Sequence, residues 1–122
     1  MAMKESGEMY LETILVLSRR LKMVRAIDVG EEMGYSKPSV SRAMHLLKDR
    51  GYIDVQSDGA ITLTDEGRAI AENIYDRHNV LAEALRSIGV DEQTAIDDAC
   101  RVEHYISEAT FRAIKAHLKK KK

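Results

Sequence analysis

Tryptophan is missing from this 122-residue chain, and proline, cysteine and phenylalanine occur once each. The single cysteine, Cys100, cannot close an internal disulfide, which excludes a disulfide-stapled secreted scaffold and makes any role of the thiol chemical. With Pro38 as the only proline, little interrupts helices. No apolar run approaches the roughly 18 residues needed to cross a bilayer, and the opening MAMKESGEMY is too polar for a secretory signal. A cytoplasmic protein with no membrane partner is expected. Net charge is scarce as well, at -1, although 32% of residues are charged. The length accommodates one small domain with a helical extension and excludes large multidomain enzymes. The 44% hydrophobic content, with six methionines, is that of a folded chain with an adaptable core.

The near-neutral total hides a local pattern. Residues 36–50 carry Lys37, Arg42, Lys48 and Arg50 against Asp49 alone, whereas residues 65–118 carry eleven acids against six basic residues. A basic patch beside an acidic remainder points to a localised anionic partner and, elsewhere, to a cation site. The terminal Lys119 to Lys122 reads as a solvated basic tail.

Met9, Ile14, Leu17 and Leu21 recur near helical spacing, so the pattern predicts a first helix from Gly7 to Arg19 with Ser6 as its cap. A second helix spans Ala26 to Met33 and stops at Gly34. Ser36 caps a third, which tolerates Pro38 in its first turn and runs through Val40, Ala43, Met44 and Leu47 to Gly51. The period then changes. Tyr52, Ile53 and Val55, then Ile61 and Leu63, flank Ser57-Asp58-Gly59, a hairpin signal. Three helices, a short helix-to-helix turn and a two-stranded ribbon make the order of a winged helix-turn-helix. Beyond Thr64 the pattern predicts helices over Asp65 to Ile88, Asp91 to Tyr105 and Ser107 to Leu118. Their apolar stripes need a partner, and the economical one is a second copy of the chain. The expected fold is mainly α: residues 1–63 a winged helix-turn-helix, 64–118 a three-helix dimerisation region, 119–122 a basic tail.

In the third helix Ser36, Lys37, Pro38, Ser39, Ser41 and Arg42 form the polar leading turns, opposite an apolar side. A helix of this kind enters the major groove of double-stranded DNA with its first turns toward base edges. Arg42 can donate two hydrogen bonds to a guanine, and Lys37 and the serine hydroxyls suit phosphates or mixed edges. A solvated face on a protein-binding winged helix is the blander reading of the same residues. His45, between inward positions, reads as a surface or packing histidine.

Cys100, Glu103 and His104 are spaced i, i+3, i+4, so one helical turn presents a thiolate, a carboxylate and an imidazole together, half of a transition-metal site. His78 offers an imidazole from another helix, and Met9 and Glu12, themselves i, i+3, can contribute from the first. Taken singly, each has an ordinary structural reading: a buried thiol, a core methionine, a hydrogen-bonded histidine.

Together these segments resemble the diphtheria toxin repressor family of metal-dependent transcriptional regulators. They are Glu8-Met9-Tyr10-Leu11-Glu12, Ser36-Lys37-Pro38-Ser39-Val40-Ser41, Leu63-Thr64-Asp65-Glu66-Gly67, Arg77-His78, Ile88-Gly89-Val90-Asp91 and Ala99-Cys100-Arg101-Val102-Glu103-His104. The resemblance implies a homodimeric repressor that binds operator DNA when Fe(II) or Mn(II) occupies a site between its two domains, in a short form without the SH3-like domain. It implies Met9, Cys100, Glu103 and His104 as regulatory ligands, with His78 and Glu12 at a second position. The iron branch has a histidine where this chain has Ile96 and an acid where it has Ala82, with Glu83 one place out of register. The sulfur donors tilt the expectation toward Fe(II), with Mn(II) possible and Co(II), Ni(II) or Zn(II) as substitutes in vitro.

Two rivals share these residues. One is a metal-independent winged-helix regulator with Cys100 as a redox sensor. The other is a small metallohydrolase, which lacks a companion base or nucleophile. Neither an enzymatic activity nor a small organic substrate is expected.

Overall fold

Leu11, Ile14 and Leu15 explain the first helix, because their spacing stacks them on one side, where all three are fully buried. That helix, α1 (Glu5–Arg20), opens the computed structural model, which describes residues 5–121. Ser6 lies inside α1 rather than capping it, and Leu21 falls past the helix end and is exposed. Next come α2 (Ala26–Met33) and α3 (Lys37–Asp49), then strands β1 (Ile53–Val55) and β2 (Ile61–Leu63). Helices α4 (Asp65–Ser87), α5 (Glu92–Val102) and α6 (Glu108–Lys121) complete the chain. The molecule divides into two compact units between Glu72 and Asn73, inside α4.

In the first unit α1 packs on α2, α3 and β2, and α3 packs on β1. Val29, Val40 and Ile53 join the α1 residues in a core sealed from solvent. The reversal between α2 and α3 depends on Gly34, whose φ of 71° lies in the left-handed region that favours glycine and lets its amide reach the Gly30 carbonyl at 2.8 Å. Ser36 then caps α3, its Oγ accepting from the Ser39 amide at 3.4 Å.

β1 and β2 pair antiparallel with Ile53 opposite Leu63, and Val24 bridges to Ile61 from the other side of β2. Arg25 ties the ribbon's tip to the start of α2: its Nε donates to the Asp58 carbonyl at 3.2 Å while its amide donates to the Asp28 carboxylate at 2.9 Å. Thr64 starts α4, its Oγ1 accepting from the Gly67 amide at 3.1 Å and donating to the Gly51 carbonyl at 2.7 Å.

The second unit holds the rest of α4 with α5 and α6. Val80, Phe111 and Leu118 form one buried cluster and Leu81, Ala82 and Ala99 another, with Ile106 and Ile114 packed against both. Asp91 caps α5 through the Thr94 amide at 3.1 Å. Two ends differ from the periodicity. α5 stops at Val102 rather than Tyr105: the Tyr105 amide reaches back only three residues, to the Val102 carbonyl at 3.0 Å, and the chain turns, with the Arg77 side chain bonding the carbonyls of Glu103 and Ile106 beyond the helix end. α6 continues through Lys119 and Lys120 to Lys121, where lysines suit the negative end of a helix, so these residues are helical rather than a separate tail. Lys122 lies outside the described residues.

Candidate metal centre and nucleic-acid interface

α5 ends in the turn that carries the candidate ligands. Cys100 occupies its last turn, and Glu103 follows with its amide still bonded to the Ala99 carbonyl at 3.0 Å, so the i, i+3 relation survives the end of the regular helix. Cys100 is exposed, whereas Glu103 is 1% exposed. From α4, His78 Nδ1 lies 3.0 Å from Glu103 Oε2 and 3.6 Å from Cys100 Sγ. Donor atoms from His78, Cys100 and Glu103 all lie within 4.8 Å of one another. His104 brings its Nε2 to 3.3 Å from Glu103 Oε1, and its side chain is as buried as that of Glu103. A buried carboxylate is thus held between two imidazoles with a thiol alongside.

These groups prepare the place for a cation. The His78 imidazole is pushed up to about 10, first by its hydrogen bond to Cys100 and then by that to Glu103, with burial opposing. In the metal-free chain it therefore carries its extra proton at neutral pH. Nδ1 is the nitrogen that faces both sulfur and carboxylate, so a cation held by these donors displaces the proton there. The donors also lie at the C-terminal, negative end of α5, a field that favours cations. Sulfur, imidazole and carboxylate within this span suit one first-row divalent ion, whose bonds in zinc sites run about 2.0–2.3 Å.

Met9 and Glu12 are partly buried on α1 in the first unit, the Met9 carbonyl accepting from Thr13 Oγ1 at 2.8 Å. Ala82 is buried in the α4–α5 cluster, a core role in place of a ligand, and Ile96 and Glu83 are half-buried. One residue of the site carried no role in the sequence reading. Arg77 hydrogen-bonds the main chain at Glu103 and Ile106, and no spacing pattern could reveal it because its partners lie 26 to 31 positions away.

On α3, Lys37, Pro38, Ser41 and Arg42 are exposed at the leading turns while Val40, Met44 and Leu47 are buried. Ser36 and Ser39 are joined, Ser36 Oγ donating to Ser39 Oγ at 3.0 Å, so the capping hydroxyls also shape the helix start. His45 is exposed. The ribbon tip, held by Arg25, stands beside the helix-turn-helix as a wing would.

Known proteins share both halves of the chain. Residues 2–61 match the family model described as the iron dependent repressor N-terminal DNA binding domain. Residues 64–122 match its metal binding and dimerisation domain. The transcriptional regulator MntR of Escherichia coli is 31% identical over 111 residues, covering 91% of this chain and 72% of the relative. The diphtheria toxin repressor of Corynebacterium efficiens is 33% identical over 112 residues, 90% of this chain and 48% of the relative. A solved manganese-dependent transcriptional repressor in complex with manganese superposes with a TM-score of 0.85 at 29% identity, over 93% of this chain and 52% of that one. The chain thus spans about half the length of that solved relative. No helix among the described residues is long and apolar enough to cross a membrane.

Proposed function

Because this chain belongs to the iron-dependent repressor family of metal-dependent transcriptional regulators, we propose that it represses transcription by gripping operator DNA as a homodimer when a divalent ion is held by His78, Cys100, Glu103 and His104. The convergence of His78, Cys100 and Glu103 donor atoms within 4.8 Å carries this reading. Met9 and Glu12 join the ligand set on the family resemblance. Residues 1–63 are assigned to DNA binding and 64–118 to metal binding and dimerisation.

When bound, the ion supplies a compact positive charge and directional bonds. The chain's own groups do the rest. His78 gives up its Nδ1 proton, Glu103 directs its carboxylate oxygens toward both histidines, and Cys100 presents sulfur at the open side. DNA affinity rises only as far as the held arrangement is the DNA-competent one, and a tenfold gain corresponds to about 1.4 kcal/mol of coupling. Lys37, Ser41 and Arg42 are assigned to base edges and phosphates, with Ser36, Pro38 and Ser39 setting the helix start. Exposed Ile88 and Tyr105 in the second unit supply apolar surface for a second copy, and a twofold pair presents two α3 helices to two half-sites.

Fe(II) is the favoured ion because a thiolate is a soft ligand. Mn(II) is the second reading, favoured by the solved manganese-dependent repressor that is similar to this chain. An anaerobic titration with each metal, following anisotropy of labelled promoter DNA at fixed salt, separates them. Stimulation at lower Fe(II) than Mn(II) is expected, with Cys100→Ala and His104→Ala abolishing it. Full stimulation in either variant overturns the ligand assignment, and specific DNA binding that ignores metal while responding to Cys100 oxidation moves the protein to redox sensing.

A further inference from the structure

Arg77 precedes His78 on α4, and its side chain is only 12% exposed. Its Nη1 donates to two main-chain carbonyls, Ile106 at 2.9 Å and Glu103 at 3.3 Å. Its Nη2 donates to Glu108 Oε2 at 3.1 Å, and the guanidinium carbon lies 5.3 Å from the Phe111 ring centroid. One cation therefore grips the end of α5, the connecting turn and the start of α6. The planar fork of arginine makes this possible, since it aims several donors in fixed directions at once.

Glu103 is consequently held at both ends. Arg77 bonds its carbonyl, while the next residue on α4, His78, lies 3.0 Å from its carboxylate. The main chain that Arg77 fixes leads directly into His104. Joining α6 to α4 does not depend on this arginine, because Lys115 Nζ donates to Asp76 Oδ2 at 2.7 Å and lies 5.7 Å from the Phe111 centroid on its own account. What Arg77 adds, among the described residues, is the pair of bonds to the Glu103 and Ile106 carbonyls.

We propose that Arg77 is a positioning residue of the metal centre: it fixes the main chain of the 103–106 turn so that Glu103 and His104 present their donors together, without itself touching the ion. The proposal rests on the metal-site reading above. Outer hydrogen-bond partners of metal ligands typically change affinity 10–100-fold when removed.

Co(II) is a suitable probe, because its ligand-field bands report donor geometry and thiolate coordination adds a charge-transfer band. In the full chain Arg77→Gln is expected to bind Co(II) about 10–100-fold more weakly, with shifted ligand-field bands. Its metal-free amides over residues 103–107 should exchange faster than in the wild type, while those of residues 79–85 on α4 keep their protection. Glu108→Gln, which leaves both carbonyl bonds in place, is expected to bind Co(II) like the wild type. Arg77→Lys keeps the charge over Phe111 and carries the test if the glutamine variant does not fold; it should weaken affinity and shift the bands in the same sense. Wild-type affinity and bands in the Arg77 variants overturn the proposal, as does an equal loss in Glu108→Gln, which would mean only a tie to α6. A wild-type chain lacking the thiolate-to-cobalt band overturns the metal-site reading and this proposal together, whereas a bound wild type with indifferent variants overturns this proposal alone.

Discussion

A methyl group at position 67 would collide with the carbonyl of Tyr52, because α4 passes its first turn directly against that backbone. Gly67 is thus required for close approach rather than for an unusual φ. Gly67→Ala is expected to destabilise the chain by about 1–3 kcal/mol, the usual range for overpacking, read as a lower urea midpoint. An unchanged midpoint would mean that the strand start gives way without penalty. At this scale the sequence was informative where chemistry repeats locally. Cys100, Glu103 and His104 announced themselves by spacing within one turn. Arg77 did not, because an arginine beside a histidine has no signature until chain reversal brings the carbonyls of Glu103 and Ile106 to it.

Helix ends were legible where a side chain declares them and illegible where tertiary structure decides. Gly34, Ser36 and Asp91 all stop or start helices as their chemistry requires. The end of α5 was misplaced because the chain tightens into a turn there, the Tyr105 amide bonding the Val102 carbonyl, and no residue of the segment declares that turn. The Asp91 cap has a pH consequence. Hydrogen bonds from Thr94, above all from its amide, hold the Asp91 carboxyl below the usual carboxylate range. Its folded pKa is depressed, so its contribution is complete above the ordinary value near 3.9 and is lost as pH falls through the lowered one. Asp91→Ala should therefore be less stable than the wild type at pH 6, and the difference should shrink in acid. Guanidinium denaturation at a series of pH values checks this, and a gap that persisted unchanged below pH ~3 would count against the cap.

Across the whole molecule, the order of three helices, ribbon and three helices could be read from the sequence because each element is signalled by neighbours in the chain. The apolar surface left over was legible only as a surplus of hydrophobic stripes. The structure gives it addresses: Ile88 is 75% and Tyr105 72% exposed. The double variant Ile88→Glu, Tyr105→Glu is expected to sediment as a monomer under conditions where the wild type is a dimer, and to bind operator DNA at least tenfold more weakly through loss of the second half-site. A variant that remained dimeric would place the interface elsewhere. The ribbon carries a different consequence. Its strands are three residues each, and Val24 covers part of the outer edge of β2. Other molecules find only short, three-residue stretches of open strand there on which to seed cross-β growth. Protein lost from concentrated solutions should therefore leave as amorphous, helix-rich precipitate rather than as fibrils.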